Sequence, residues 1–154
     1  MHLHRGLFLL YLVCAVLAGC THKPADATPE GAVREWIDKM EAAADDAESA
    51  KAAYEMLGPK AKRNLADRAE RASRIQGRHV EAEDMLATGR FGLRFRPESM
   101  HATITGDDAT VDVVGPDPIA QHAVVSCHRE GEHWRVEPEL PDQADLPHRP
   151  DAGM

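Results

Sequence analysis

The sequence is short of aromatic residues, of positive charge and of long apolar runs. Aromatic residues make up 5% of its 154 residues, so a core must rely mainly on Ala, Val, Leu and Met. The 18 Lys and Arg are outnumbered by 26 Asp and Glu, and the net charge of −8 argues against a nucleic-acid-binding protein. No stretch reaches the roughly 20 apolar residues of a membrane span, so no transmembrane helix is predicted. The length and the ordinary 43% hydrophobic content indicate one globular domain.

A short apolar run lies close to the N-terminus, behind a few basic residues. His2, His4 and Arg5 precede the unbroken apolar stretch from Leu7 to Leu17, and small residues follow it. This order is typical of a secretory signal peptide, so we expect residues 1–19 to be removed. The loss of Arg5 would then change the net charge from −8 to −9.

The apolar run ends in Leu17, Ala18, Gly19 and Cys20. These four residues resemble the lipobox of bacterial lipoproteins. The resemblance implies cleavage between Gly19 and Cys20, a diacylglycerol on the Cys20 sulfur, and a membrane-anchored protein of the cell envelope. Two acyl chains anchor a protein stably where one does not. The alternative is an ordinary signal peptide followed by a chance cysteine.

Two further expectations follow from the lipobox. In the family's sorting pattern an aspartate after the cysteine retains a lipoprotein at the inner membrane, so Thr21 favours the outer membrane where the cell has one. Cys14 would leave with the signal and Cys20 would carry the lipid, so Cys127 remains alone and no intrachain disulfide is expected. A lone thiol in an oxidising compartment is protected by burial, and Cys127 is therefore predicted to be a core residue rather than a nucleophile.

The rest of the chain divides by composition into a tether, a folded domain and a tail. Residues 20–28 are polar and are expected to form a flexible tether. Residues 29–140 carry the periodic apolar patterns of a folded domain. Residues 141–154 are polar and proline-rich, which predicts a disordered tail.

Helical periodicity is confined to the first half of the domain. It predicts helices from about Pro29 to Ala44, from Asp45 through Leu57, and from Pro59 to Gln76, with a short helical turn over Glu81–Ala87. Thr28 is the expected cap of the first helix and Gly77 the expected end of the third. The predicted buried stripe of the third helix is Ala61, Leu65, Ala69, Ala72 and Ile75.

From Gly89 onward the apolar period changes to two, which is typical of strands. Alternation over 91–96, 100–105, 111–113, 123–128 and 134–137 predicts four or five antiparallel strands with one apolar face, on which Cys127 lies. The helices must cover that face. The predicted fold is therefore α+β, with N-terminal helices packed on a curved antiparallel sheet.

Three segments of this domain resemble the NTF2-like, or cystatin-like, superfamily, and within it small bacterial lipoproteins. They are Pro29–Val33 at the start of the first helix, Ala53–Pro59, and Gly131–Val136 in the closing hairpin, and the likeness covers about Pro29 to Pro138. The resemblance implies a cone whose mouth can serve as a pocket. Some members are isomerases or dehydratases and many are binding or accessory domains, so the fold alone does not select a function.

Candidate chemistry in the domain is sparse. His101, His122, His128 and His133 have no metal-ligand spacing, so solvated strand histidines are expected rather than a metal site, and no cofactor is predicted. A pocket acid–base pair is the alternative, with Tyr54, Asp84 and Trp36 at the cone mouth. Core positions are the simpler interpretation of Tyr54 and Trp36.

The third predicted helix is rich in basic residues. This surface could contact anionic lipid head groups or an acidic envelope protein, or it could be a solvated face paired with acids of the first helix. The basic residues are Lys60, Lys62, Arg63, Arg68, Arg71 and Arg74, followed by Arg78. Together these patterns predict a lipid-anchored envelope protein with a small binding or scaffolding domain. The alternative is a pocket enzyme of the isomerase or hydrolase type.

Overall fold

The computed structural model describes residues 23–86 and 92–140. Within these ranges three α-helices precede a four-stranded antiparallel sheet, which confirms the predicted α+β fold. The helices are α1 (Pro29–Ala42), α2 (Ala47–Glu55) and α3 (Pro59–Gln76), and short 3-10 helices lie at Ala25–Ala27 and Glu83–Met85. The strands are β1 (Ser99–Thr105), β2 (Asp108–Val114), β3 (His122–Glu130) and β4 (His133–Glu137), which are neighbours in that order. None of the described helices has both the length and the apolar character that crossing a bilayer requires.

The first two helices begin at side-chain caps. Thr28 Oγ1 accepts a hydrogen bond from the Gly31 N–H at 3.1 Å, as its sequence position predicts. The Asp46 carboxylate accepts from the two N–H groups at the start of α2, at 3.2 and 2.9 Å. Each cap satisfies donors that have no partner inside the helix, so these starts are determined locally.

The third helix is joined to the sheet at its first turn. The second predicted helix was expected to reach Leu57, but α2 ends at Glu55 because the backbone around Leu57 pairs in parallel with Val136 of β4. The Val136 N–H donates to Met56 O and the Val136 carbonyl accepts from Gly58 N, both at 2.9 Å. Residues 56–58 therefore cover the outer edge of β4, and α3 starts directly after them.

The sheet has one apolar face and one polar face, as its alternation predicts. The register aligns Ala109, Cys127 and Val136 across three strands, and all three are buried against the helices. Thr103, Thr110 and Ser126 are aligned in the same way on the opposite face. Helix α1 packs on the apolar face with its own stripe, and these side chains are Val33, Trp36, Ile37 and Met40. The core is mainly aliphatic, and both tryptophans of the chain, Trp36 and Trp134, are buried in it.

Three predictions about the elements differ from the structure. The strand expected over 91–96 does not form in its described part, because residues 92–96 make no ladder with the sheet although Leu93 and Phe95 pack against the core. Ile75 was expected in the buried stripe of α3, yet it is 80% exposed because the last turn of α3 extends past the core. The first helix also ends at Ala42 rather than Ala44.

The N-terminal boundary of the folded structure lies earlier than the tether prediction places it. Residues 25–27, which the sequence assigns to the flexible segment, form a 3-10 helix packed against α1 and β4. A side chain at Gly31 would clash with the Ala25 carbonyl, so this helix depends on the glycine. The expected tail over 141–154 lies outside the described residues.

Candidate functional site

A groove in the described part of the chain lies on the polar face of the sheet. It has a volume of about 520 Å³ and runs between the strands and the start of α3. We call it the polar-face groove. Its lining includes the aligned hydroxyls of Thr103, Thr110 and Ser126, the Asp108–His128 pair, and Lys60, Glu137 and Glu139. Its volume falls within the range of small-molecule pockets.

His128 and Asp108 form the closest titratable pair in this groove. They are direct cross-strand partners, and His128 Nδ1 lies 2.8 Å from Asp108 Oδ1. The hydrogen bond to Asp108 raises the pKa of His128 above its ordinary value of 6.5. Both side chains are open to solvent, at 42% and 79% exposure. The pair can exchange protons with water and can bind a polar ligand.

Glu137 is also in the polar-face groove, but its carboxylate is already engaged. Its two oxygens accept the N–H groups of Lys60 at 2.9 Å and of Ala61 at 2.8 Å. Gly58, the residue before α3, has no side chain to cap the helix, so Glu137 from β4 serves as the cap. A side chain at Gly58 would meet the Glu137 carboxylate, which explains the glycine. Glu137 therefore has a structural role as the cap of α3, and its carboxylate is not free to act as a general base.

The structure divides the six basic residues predicted on α3 into two groups. Lys62 is turned toward the domain, with its Nζ 3.3 Å from Glu55 and 5.4 Å from the centre of the Tyr54 ring. Arg68 is half-buried, and its Nε donates to Asn64 at 2.6 Å. The other four are exposed on the outward side of the helix, and they are Lys60, Arg63, Arg71 and Arg74. We call these four residues the α3 basic face.

The sequence suggested an acid–base pair at a cone mouth, formed from Tyr54, Asp84 and Trp36. In the structure each of these side chains packs in or beside the core or bonds to the backbone. Trp36 is 2% exposed in the core, and its Nε1 has no hydrogen-bond partner among the described residues. Tyr54 packs at the edge of the core, and burial, together with Glu55 and Glu83, raises its pKa. Asp84 accepts a backbone hydrogen bond from Glu81 at 3.3 Å. None of the three lines the polar-face groove.

Three of the four strand histidines each contact a single carboxylate, and they do not converge on one point. His122 lies 3.2 Å from Asp112, and His133 lies 2.9 Å from Asp26. Within 23–86 and 92–140, no group of three or more His, Cys, Asp or Glu side chains is arranged to hold a metal ion. The register places His101, His128 and His133 on the polar face of the sheet.

Cys127 is confirmed as a core residue. It is 2% exposed on the apolar face, and burial raises its pKa to about 12, with smaller contributions from Glu30 and Glu137. A thiol with this pKa holds its proton at neutral pH, so Cys127 is a poor nucleophile.

Sequence reasoning missed an ionic cluster that attaches the N-terminal segment to the sheet. Asp26 accepts from His133 and from Arg135, each at 2.9 Å, and Arg135 Nε lies 3.5 Å from Glu130. Burial raises the pKa of Asp26, but the hydrogen bonds and charges of His133 and Arg135 outweigh it, and the pKa falls below its ordinary 3.8. The partners of Asp26 are more than 100 residues away in the sequence, so no local pattern could reveal them. We call these four residues the Asp26 cluster.

The predicted lipidation and cleavage residues, Cys20 and Gly19, lie outside the described residues. The first described residue is Lys23, three positions after Cys20.

No protein-family model, curated protein or solved structure matches this chain.

Proposed function

We propose that this chain is a cell-envelope lipoprotein, anchored through Cys20, whose folded domain binds or scaffolds a partner. The observation that carries the proposal is Leu17–Cys20 placed directly after the apolar run. The Asp26 cluster supports it, because it fixes the chain to the domain six residues after Cys20. Thr21 favours the outer membrane where the cell has one.

The composition of the interior favours binding over catalysis. Among the described residues, every buried side chain of the core is hydrophobic, and no polar or charged residue is buried. A general acid or base needs a site where burial or a neighbouring charge matches its pKa to the reaction. The helix-covered face of the sheet offers no such group in the described part of the chain. This filled interior is what we expect of an NTF2-like domain that acts as a binding module.

The α3 basic face is the proposed contact surface for a partner. Arg71 has no ion-pair partner within the described ranges, and Arg74 is paired with Glu70 at 3.5 Å while both remain about two-thirds exposed. Such exposed pairs are weak, so a stronger acidic ligand can displace them. The surrounding protein is acidic overall, which makes this face a local site for an acidic envelope protein.

A pocket enzyme is the second candidate, and the Asp108–His128 pair in the polar-face groove favours it. An enzyme here would bind its substrate along Thr110, Ser126 and His128. A fragment screen read by the NMR signals of these three residues tests the candidate. Fragments that shift all three together would support a pocket, and a screen without such shifts would contradict it.

The anchor is tested by cell fractionation of two serine variants. Cys20→Ser removes the thiol that accepts the lipid, and we expect the chain to leave the mature membrane-anchored pool. Cys14→Ser is the matched control, because it removes the other signal-region cysteine and should not change the fractionation. An unchanged mature membrane pool of Cys20→Ser would refute the proposal.

A further inference from the structure

A second groove lies where the folded chain leads back toward Cys20. It has a volume of about 460 Å³ and is lined by Lys23, Pro24, Arg129, Glu132, His133 and Trp134, among others. We call it the N-terminal groove. Its walls are the segment before the first 3-10 helix on one side and the turn between β3 and β4 on the other.

The chain length between Lys23 and Cys20 limits the distance between this groove and Cys20. Lys23 is three positions after Cys20. An extended chain spans at most about 3.5 Å per residue, or roughly 10 Å over these three steps. Asp26 is held to His133 and Arg135 just beyond, so the segment cannot swing away from the sheet without breaking that cluster. If Cys20 carries a lipid, the N-terminal groove must lie at the bilayer surface.

The charges in the groove suit an anion. Lys23 and Arg129 are exposed, and neither has an ion-pair partner within the described ranges. The Arg129 guanidinium lies 4.6 Å from the centre of the Trp134 ring, which holds it in place at the groove. Glu132 on the turn is the opposing charge, and His133 is occupied by Asp26.

We propose that the N-terminal groove binds the anionic head group of a bilayer lipid through Lys23 and Arg129. This inference rests on the proposed anchoring through Cys20, because the anchor brings the groove to the membrane. The contact would orient the domain with the β3–β4 turn toward the bilayer. The α3 basic face then remains available for a protein partner.

The test uses the lipidated mature chain in vesicles of phosphatidylcholine, with or without phosphatidylglycerol. Acetylation of Lys23 is measured by mass spectrometry, with the exposed Lys51 of α2 as the internal reference. A basic residue near an anionic surface contributes about 1 kcal/mol, so phosphatidylglycerol should slow the acetylation of Lys23 relative to Lys51 about fivefold.

Two arginine variants separate the groove from general charge. Arg129→Gln should remove most of the protection of Lys23 from acetylation. Arg71→Gln removes the same charge from an exposed site on α3 and should leave the protection of Lys23 unchanged. Equal acetylation of Lys23 in both vesicle types, or protection that is lost with Arg71→Gln instead, would overturn the groove proposal. Protection by inorganic phosphate in phosphatidylcholine vesicles would assign the groove to a free anion and also overturn it.

Flotation of the same vesicles distinguishes failure of the groove from failure of the anchor. A chain that floats with the vesicles but shows no protection of Lys23 would support the anchor proposal and overturn the groove proposal. A chain that does not float with either vesicle type overturns both proposals.

Discussion

At the scale of single residues, Asp26 connects the N-terminal segment of the described chain to the sheet. It is 17% exposed and lies between His133 and Arg135. These two side chains take the place of water as hydrogen-bond donors to its carboxylate. Hydrogen bonds to charged groups contribute about 1.5–3 kcal/mol each, and removal of one partner leaves the others unsatisfied. The position of the N-terminal groove depends on this one side chain.

Replacement of Asp26 by Asn should destabilise the protein by about 1–3 kcal/mol at pH 7 in urea unfolding. The pKa of Asp26 is lowered in the folded state, so its contribution is present above the ordinary value of 3.8 and is lost as the pH falls through the lower folded-state value. The difference between wild type and variant should therefore vanish in strong acid. Asp45→Asn is the control, since Asp45 is exposed and its carboxylate has no partner among the described residues. Equal stability of the Asp26 variant at pH 7 would show that the cluster is not formed.

The buried thiol makes a second prediction at this scale. In the folded protein Cys127 should resist alkylation by iodoacetamide at neutral pH, because it is buried in the core and its pKa is raised to about 12. In urea the same thiol should react fully, which serves as the internal control. Mass spectrometry of the alkylated protein checks both states. Rapid labelling of the native chain would mean that the apolar face is open.

At the scale of elements, α3 depends on a residue 77 positions later in the chain. Both oxygens of Glu137 cap its first N–H groups, and Gly58 gives no cap of its own. This contact joins the end of β4 to the start of the helix that carries the α3 basic face. The cap therefore determines where that face is presented.

Glu137→Ala should destabilise the protein by about 1–2 kcal/mol, because two helix donors lose their acceptor. Glu137→Gln should cost less, since the amide oxygen still accepts one bond. Glu139→Ala is the matched control, as this nearby acid is exposed and has no partner in the described part of the chain. Thermal unfolding followed by circular dichroism measures all three. An alanine variant at Glu137 that unfolds like the Glu139 control would contradict the capping role.

The elements also show what the sequence could predict and what it could not. Thr28, Pro59 and Gly77 act on residues next to them in the sequence, so the start of α1 and both ends of α3 were predictable. An alternating apolar pattern indicates which side chains are buried, but it does not indicate which backbone segments pair. Leu93 and Phe95 pack on the core and therefore suggested a strand where none forms. Glu137 and Asp26 act over 77 and more than 100 residues, and no local pattern signals such contacts.

At the scale of the whole molecule, three surfaces are available on one small domain. The N-terminal groove lies between the segment at Lys23 and the β3–β4 turn, the α3 basic face lies on the outward side of a helix, and the polar-face groove lies between that helix and the sheet. A domain held within roughly 10 Å of a bilayer has one side occupied by the membrane. If Cys20 carries the proposed lipid, the remaining surfaces are the ones that a partner or ligand can reach, as the proposed binding module requires.

Mass spectrometry of the mature N-terminus tests the anchor most directly. The account predicts that the chain extracted from membranes begins at Cys20 and that this residue carries two or three acyl chains. The N-terminal peptide of this chain should therefore be heavier than its sequence by the mass of the lipid. A mature chain that begins elsewhere, or a membrane-associated chain with an unmodified Cys20, would contradict the account.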